Sequence, residues 1–259
     1  MDIHSLALAV ICGALLASAG TTGGEPVCPT MLEEPTWAET AAGSSPLAWA
    51  EPSPEWVSAL PQAEGAEQLF IVSVTGRSAG EASMHQRDEK GVWKELMTSA
   101  ASIGRNGLGK TQEGDGKTPA GVFCFESAFG IAPDPGCTIP YRQVTNDDWW
   151  SGDQRPGYMY NRMVSLAALP DLDRSASEHI IENTYAYQYC LNISYNQEGI
   201  PGLGSAIFLH CPDRRAGPTA GCVAIPTDDM LFVMQNVQPG CVVIIDSREN
   251  LLAAGGSGP

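Results

Sequence analysis

Leu69-Phe70-Ile71-Val72-Ser73-Val74 is the stretch on which the reading of the fold turns. Apolar and largely β-branched, it has the composition of a buried strand, and the chain after it continues as short strands separated by turns. Residues 82–90 and 92–96 flank Gly91 as a hairpin, and 121–125 follow a Gly/Pro turn. Further strands are expected at 185–195, 205–209, 222–225 and 242–245. One helix stands out. Thr227 is placed to cap it, Asp228 and Asp229 suit its first turn, and Met230, Val233, Met234 and Val237 fall at helical spacing before Pro239-Gly240 ends it. Residues 69–247 therefore read as one mainly β domain without an internal repeat.

Outside this block the composition changes. The segment 6–16 is apolar and is followed by the small residues Ala17-Ser18-Ala19. Eleven residues rise only ~16 Å as a helix, about half of a hydrocarbon core, so residues 1–19 read as a secretory signal peptide rather than a membrane span. Its start carries no Lys or Arg, and a buried N-terminal helix is the alternative. Residues 20–67 contain seven prolines among Ala, Gly, Ser and Glu with no periodic apolar face, which suggests a largely disordered acidic tether. Trp37, Trp49 and Trp56 are its exceptions and suit packing on the domain surface. Residues 248–259 read as a flexible tail.

The 259 residues carry 14 basic and 30 acidic side chains, a net charge of −16, with 43% hydrophobic residues. Nine of the acids precede Arg77, the first base, leaving 21 acids against 14 bases, about −7, for the rest. An acidic chain without a basic stripe repels phosphate backbones, which excludes nucleic acid as a partner.

Only His85, His179 and His210 lie beyond the proposed signal. His210 closes an apolar strand and is followed by a polar loop, and Cys222 ends that loop twelve residues later, so strand end and loop end can meet as a Cys/His pair. An adjacent imidazolium favours the thiolate, and Gly221 lets backbone N–H groups approach an oxyanion. The rival readings are a structural histidine and a half-cystine. Removing residues 1–19 leaves seven of the eight cysteines, an odd number, so one thiol stays unpaired within the chain while Cys28, Cys124, Cys137, Cys190, Cys211 and Cys241 can supply up to three bridges. A zinc site on His210, Cys211 and Cys222 lacks a Cys-x-x-Cys and a second nearby His, so neither metal nor cofactor is expected.

Several segments together resemble one family. His210 with Pro218-Thr219-Ala220-Gly221-Cys222-Val223-Ala224-Ile225 is similar to the active-site motif of the L,D-transpeptidase catalytic domain, the YkuD type. Gly114-Asp115-Gly116-Lys117-Thr118-Pro119-Ala120-Gly121 resembles a second motif of that family, and Asp147-Asp148, Tyr160-Asn161, Glu178-His179 and 204–210 follow in the order of its branch with a Thr-Ala-Gly-Cys turn. The resemblance implies a β-sandwich or barrel with one or two short helices, acting outside the cytoplasm as a monomer on peptidoglycan stem peptides. It implies Cys222 as nucleophile, His210 as base, Gly221 and Cys222 as oxyanion donors, and the Cys211 backbone carbonyl as the group orienting His210. Asp148, Trp149, Tyr160, Asn161 and Thr219 are the expected substrate-binding residues. Ala220 and Ala224 depart from the polar residues many members carry there, leaving an L,D-carboxypeptidase as one alternative; the other is a non-catalytic wall-binding module in which Cys222 is locked in a disulfide. Read without the resemblance, 114–121 is a turn leading into a strand, Asp147 to Trp150 suit either a substrate groove or a loop packed on the domain, His179 is a structural or groove residue, and His85 is an exposed strand position.

Overall fold

The computed structural model describes residues 45–256 apart from Ala216. The expected signal peptide, Cys12, Cys28 and Trp37 lie outside the described residues. In chain order the strands are β1 (Glu51–Pro52), β2 (Gln68–Val74), β3 (Ala79–Arg87), β4 (Trp93–Ser102), β5 (Gly121–Gly130), β6 (Tyr141–Gln143), β7 (Asp148–Trp150), β8 (Met163–Ser165), β9 (Glu178–His179), β10 (Cys190–Ile193), β11 (Phe208–His210), β12 (Val223–Ala224) and β13 (Val242–Ser247). Three short helices accompany them: α1 (Glu55–Ser58), α2 (Thr227–Asn236) and α3 (Arg248–Ala254).

Strands pair in the order β4-β12-β11-β10-β5-β13-β2-β3, and β3 pairs with β4 to close the ring. The fold is thus mainly β, a closed barrel, as the sequence pattern and the resemblance lead one to expect. Closure removes the exposed edges that an open sheet would present. The run at β2 is continuous in apolar residues because both its faces are covered. Phe70, Val72 and Val74 point into the barrel beside Met84, Leu191, Leu209, Val223 and Val243, while Leu69 and Ile71 pack outside it with Val57, Leu60, Ile244 and Leu251. Helix α2 lends Met230, Val233 and Met234 to the interior. Its N-cap is Pro226 without a side-chain bond, so Thr227 is its first helical residue, not its cap; Asp229 accepts the Ser99 hydroxyl at 2.6 Å and fixes the helix on β4.

The part of the acidic tether from Pro46 to Glu67 is not disordered. Pro46 and Pro61 sit in the first turn of two short 3-10 turns, where a missing N–H costs nothing and a fixed φ helps. Between them β1 pairs with β4, and Val57, Leu60, Ala63 and Ala66 lie on the outer face of β2 and β13. We call this segment the strap. At the other end, residues expected to be a flexible tail form α3. Ser247 caps it by accepting the Asn250 N–H at 3.1 Å, and Leu251 is buried against the strap's cluster.

His85 is a second correction, being 1% exposed rather than on the surface. It faces outward from β3, but the strap covers that face: Nδ1 meets the Ser53 hydroxyl and Nε2 the Ser83 hydroxyl, each at 2.9 Å. Burial pushes its pKa down from 6.5 to about 4. The unfolded chain therefore binds more protons than the folded one between these values. The stability owed to the neutral, buried ring is complete above pH 6.5 and is lost as pH falls toward 4, by at most about 3 kcal/mol. We expect denaturant midpoints to fall across this window, and His85→Gln to flatten that part of the slope; equal slopes in both proteins would show that His85 does not titrate with unfolding.

Cys124, Cys137, Cys190, Cys211 and Cys222 are free thiols, so a bridge framework among them is not formed. With a closed barrel to bury apolar surface, the fold does not need such staples. Among the described residues no helix is long and apolar enough to cross a membrane.

Candidate active site

The short strands β11 and β12 run parallel, with Leu209 opposite Val223 and His210 opposite Ala224. Alternation along each strand sends Leu209 and Val223 into the barrel and leaves Phe208, His210, Cys222 and Ala224 on its outer face. The pair expected from the sequence is thereby brought to one side of one sheet. Over this face lies a second sheet, ordered β8-β7-β9. Trp150, Phe129 and Tyr187 surround Phe208 edge-on or nearly so, and Tyr187 also meets the His210 ring with centroids 5.5 Å apart. These aromatics form a rigid floor.

Above it opens a cavity of about 380 Å³ whose wall includes His210, Thr219, Gly221, Cys222, Glu178 and Lys110. His210 Nδ1 lies 2.6 Å from the Cys211 carbonyl oxygen, a contact that fixes the ring and, with Nδ1 as donor, leaves Nε2 as the basic nitrogen. Cys222 Sγ donates to the Ala206 carbonyl at 3.1 Å and accepts the Phe208 N–H at 3.4 Å. Burial pushes this thiol up to about 12, with the Glu178 charge adding to the rise against the opposing effects of the Phe208 N–H and Lys110. Burial likewise lowers His210, and the Cys211 carbonyl and Asp213 offset it only in part. The resting pair is therefore thiol and neutral imidazole. This corrects the expectation of a preformed thiolate and imidazolium: with both groups buried, desolvation disfavours the charged form of each.

The turn that carries the sulfur is held from several sides. Thr219 Oγ1 donates to the Cys222 carbonyl at 2.7 Å and accepts the Gly221 N–H at 3.1 Å. That N–H is thus engaged, whereas the Cys222 N–H lies beside its own sulfur. Gly221 has φ +155°, and a Cβ there would lie 2.9 Å from the Lys117 carbonyl oxygen and 3.1 Å from Ile207. Only glycine fits this position. Thr118, fully buried, donates to the Gly221 carbonyl at 2.7 Å and accepts the Gly104 N–H at 2.8 Å. The 114–121 motif is thus the brace of the Cys222 turn as well as the entry to β5.

Of the expected substrate-binding residues, Thr219 lines the cavity, but four others do not. Asp148 is buried against Arg142 and the Thr145 N–H and hydroxyl. Trp149 stacks on His179 with centroids 4.3 Å apart. Tyr160 donates to Glu113 at 2.5 Å, and Asn161 accepts the Trp150 Nε1–H and the Ala206 N–H, each at 3.0 Å. All four hold the wall from behind. His179 is likewise structural, bridging Glu182 and the Asn146 carbonyl.

A family model, the L,D-transpeptidase catalytic domain (YkuD), matches residues 81–245. The chain belongs to this family. Its domain is of the transpeptidase type, one that acts on peptidoglycan peptides of the cell wall. A search of the curated proteins found no match.

The L,D-transpeptidase cavity also contains groups that the sequence pattern does not single out. Lys110 is buried and paired with Asp115 at 3.0 Å. Burial alone would raise the Asp115 carboxyl, but the Thr111 and Lys117 N–H groups with Lys110 hold it near 2. Glu113 accepts both Tyr160 and Ser205. Tyr187 donates to Glu178 at 2.7 Å. The available signal for Lys110 and Glu113 was their closeness to the Asp-Gly-Lys-Thr-Pro motif, which loops back onto the Gly221-Cys222 turn.

Proposed function

We propose that this L,D-transpeptidase domain works by a Cys222 thioester, outside the cytoplasm, on tetrapeptide stems. The observation that supports it most is the free Cys222 sulfur in a walled cavity shared with an imidazole whose Nε2 is left basic. In the first half-reaction His210 Nε2 takes the thiol proton as Sγ attacks the carbonyl joining the third residue to D-Ala. The Cys222 N–H stabilises the oxyanion, the C–N bond breaks, and the proton passes to the departing D-Ala amine. In the second, an amine of another stem attacks the thioester, the C–S bond breaks, and the sulfur regains a proton. Arg105 and Arg215 on the cavity wall give peptide carboxylates a positive border.

A purely wall-binding module rested on Cys222 being locked in a cystine, and the free thiol removes that ground. Incubation with a tetrapeptide stem should release D-Ala and, on rapid quenching, leave a tripeptide acyl mass on Cys222. Release without any adduct, or an adduct on another residue, would refute the thioester.

A further inference from the structure

Glu178 differs from the cavity's Lys110 and Glu113. Lys110 is neutralised by Asp115, and Glu113 is bound by two hydroxyls. Glu178, at the start of the two-residue strand β9, has one oxygen fixed by the Tyr187 hydroxyl at 2.7 Å, while its other oxygen accepts no hydrogen bond from the described residues. Tyr187 is wedged between the Phe208 and His210 rings, so the carboxylate has little freedom to swing away. A carboxyl group in this setting, half-satisfied and inside a walled pocket beside the nucleophile, is costly unless something positive joins it.

We propose that Glu178 receives the ammonium of the acceptor stem and takes its first proton, so that it sets the preference for amine over water at the thioester. This rests on the Cys222 and His210 reading. The acceptor enters as an ammonium ion and passes one N–H proton to the Glu178 carboxylate, becoming a neutral amine. Its nitrogen forms the C–N bond to the thioester carbonyl while the C–S bond breaks. The second N–H proton moves to His210 Nε2 and on to the departing sulfur, and Glu178 later gives its proton to water. Burial raises the Glu178 carboxyl, with Glu113 adding to the rise and Tyr187 opposing it, which brings its basicity closer to this task. Water carries no positive charge, so the carboxylate holds it less strongly than it holds an ammonium.

The test uses the full chain, a tetrapeptide donor and a tripeptide stem with a free side-chain amine as acceptor. Both products leave from one thioester, so their ratio does not depend on how fast it forms. Glu178→Gln should lower the ratio of cross-link to hydrolysis by about 10-fold or more. Tyr187→Phe, which keeps the ring packing but frees the carboxylate, should lower it by a smaller factor and serves if the first variant does not fold. In Glu178→Gln the pH profile of Cys222 alkylation should also move to lower pH, because a repelling charge is gone. An unchanged ratio in folded variants would overturn the proposal, including the case in which only donor use weakens, which would assign the carboxylate to the donor. Failure of the wild type to form any thioester would instead sink the Cys222 reading and leave a different signature.

Discussion

Cys222→Ala is expected to reduce D-Ala release by at least about a thousandfold while leaving the protein folded. No neighbouring group can replace the sulfur. Cys190 is buried in the same cluster, 0% exposed and away from the cavity lining, so it offers no second nucleophile. The structural cost is small because the substitution removes one atom from a site already walled by Phe208, Tyr187 and Trp150, and the Thr118 and Thr219 hydroxyls continue to hold the backbone of the turn. The change in stability should stay below about 2 kcal/mol. Parallel measurement of D-Ala release and the thermal midpoint separates these effects. Turnover persisting in the variant would remove Cys222 from the chemistry.

His210→Ala is expected to cost about a hundredfold to ten-thousandfold in the same assay. The reason lies in the high pKa of the thiol: at neutral pH almost no thiolate forms unaided, so the imidazole must take the proton during attack. The wild-type profile follows from the sign of the His210 shift. Its lowered pKa means that the base is neutral above a midpoint below 6.5, and activity falls as pH drops through that midpoint. The variant should lose this acidic limb. Its residual rate should climb about tenfold per pH unit on the alkaline side, as hydroxide does the work of the ring. An unchanged acidic limb in His210→Ala would assign the titration to another group.

How much of this was legible in the chain depends on which faces are covered and by what. Leu69 to Val74 could be read as a strand because its apolar run is broken only by Ser73, and the structure shows that both its faces are buried. Helix α2 was legible for the complementary reason, an apolar stripe at helical spacing ended by Pro239-Gly240. Strands β7, β8 and β9 have two or three residues each, too few for any period to emerge, and they exist because they pair with one another over the aromatic floor. The strap's prolines suggest disorder, whereas here Pro46 and Pro61 start short turns and Pro54 precedes the helix that places Val57 against the barrel. His85 was misread with it, since a strand position is exposed only if nothing lies over it. In the site, the turn before Cys222 and the histidine at the strand end were readable from spacing. Tyr187 was not, and Glu178 was legible only as part of the Glu178-His179 segment, because tertiary packing alone brings the two to the cavity wall.

The strap has a practical side. A version of the protein cut to begin at Leu69, the natural choice if the preceding residues are regarded as a leash, would strip Val57, Leu60, Ala63 and Ala66 from the barrel wall. Leu69, Ile71 and Ile244 would then form a greasy stripe open to water, and such a truncation should clump in solution even though every residue around Cys222 is retained.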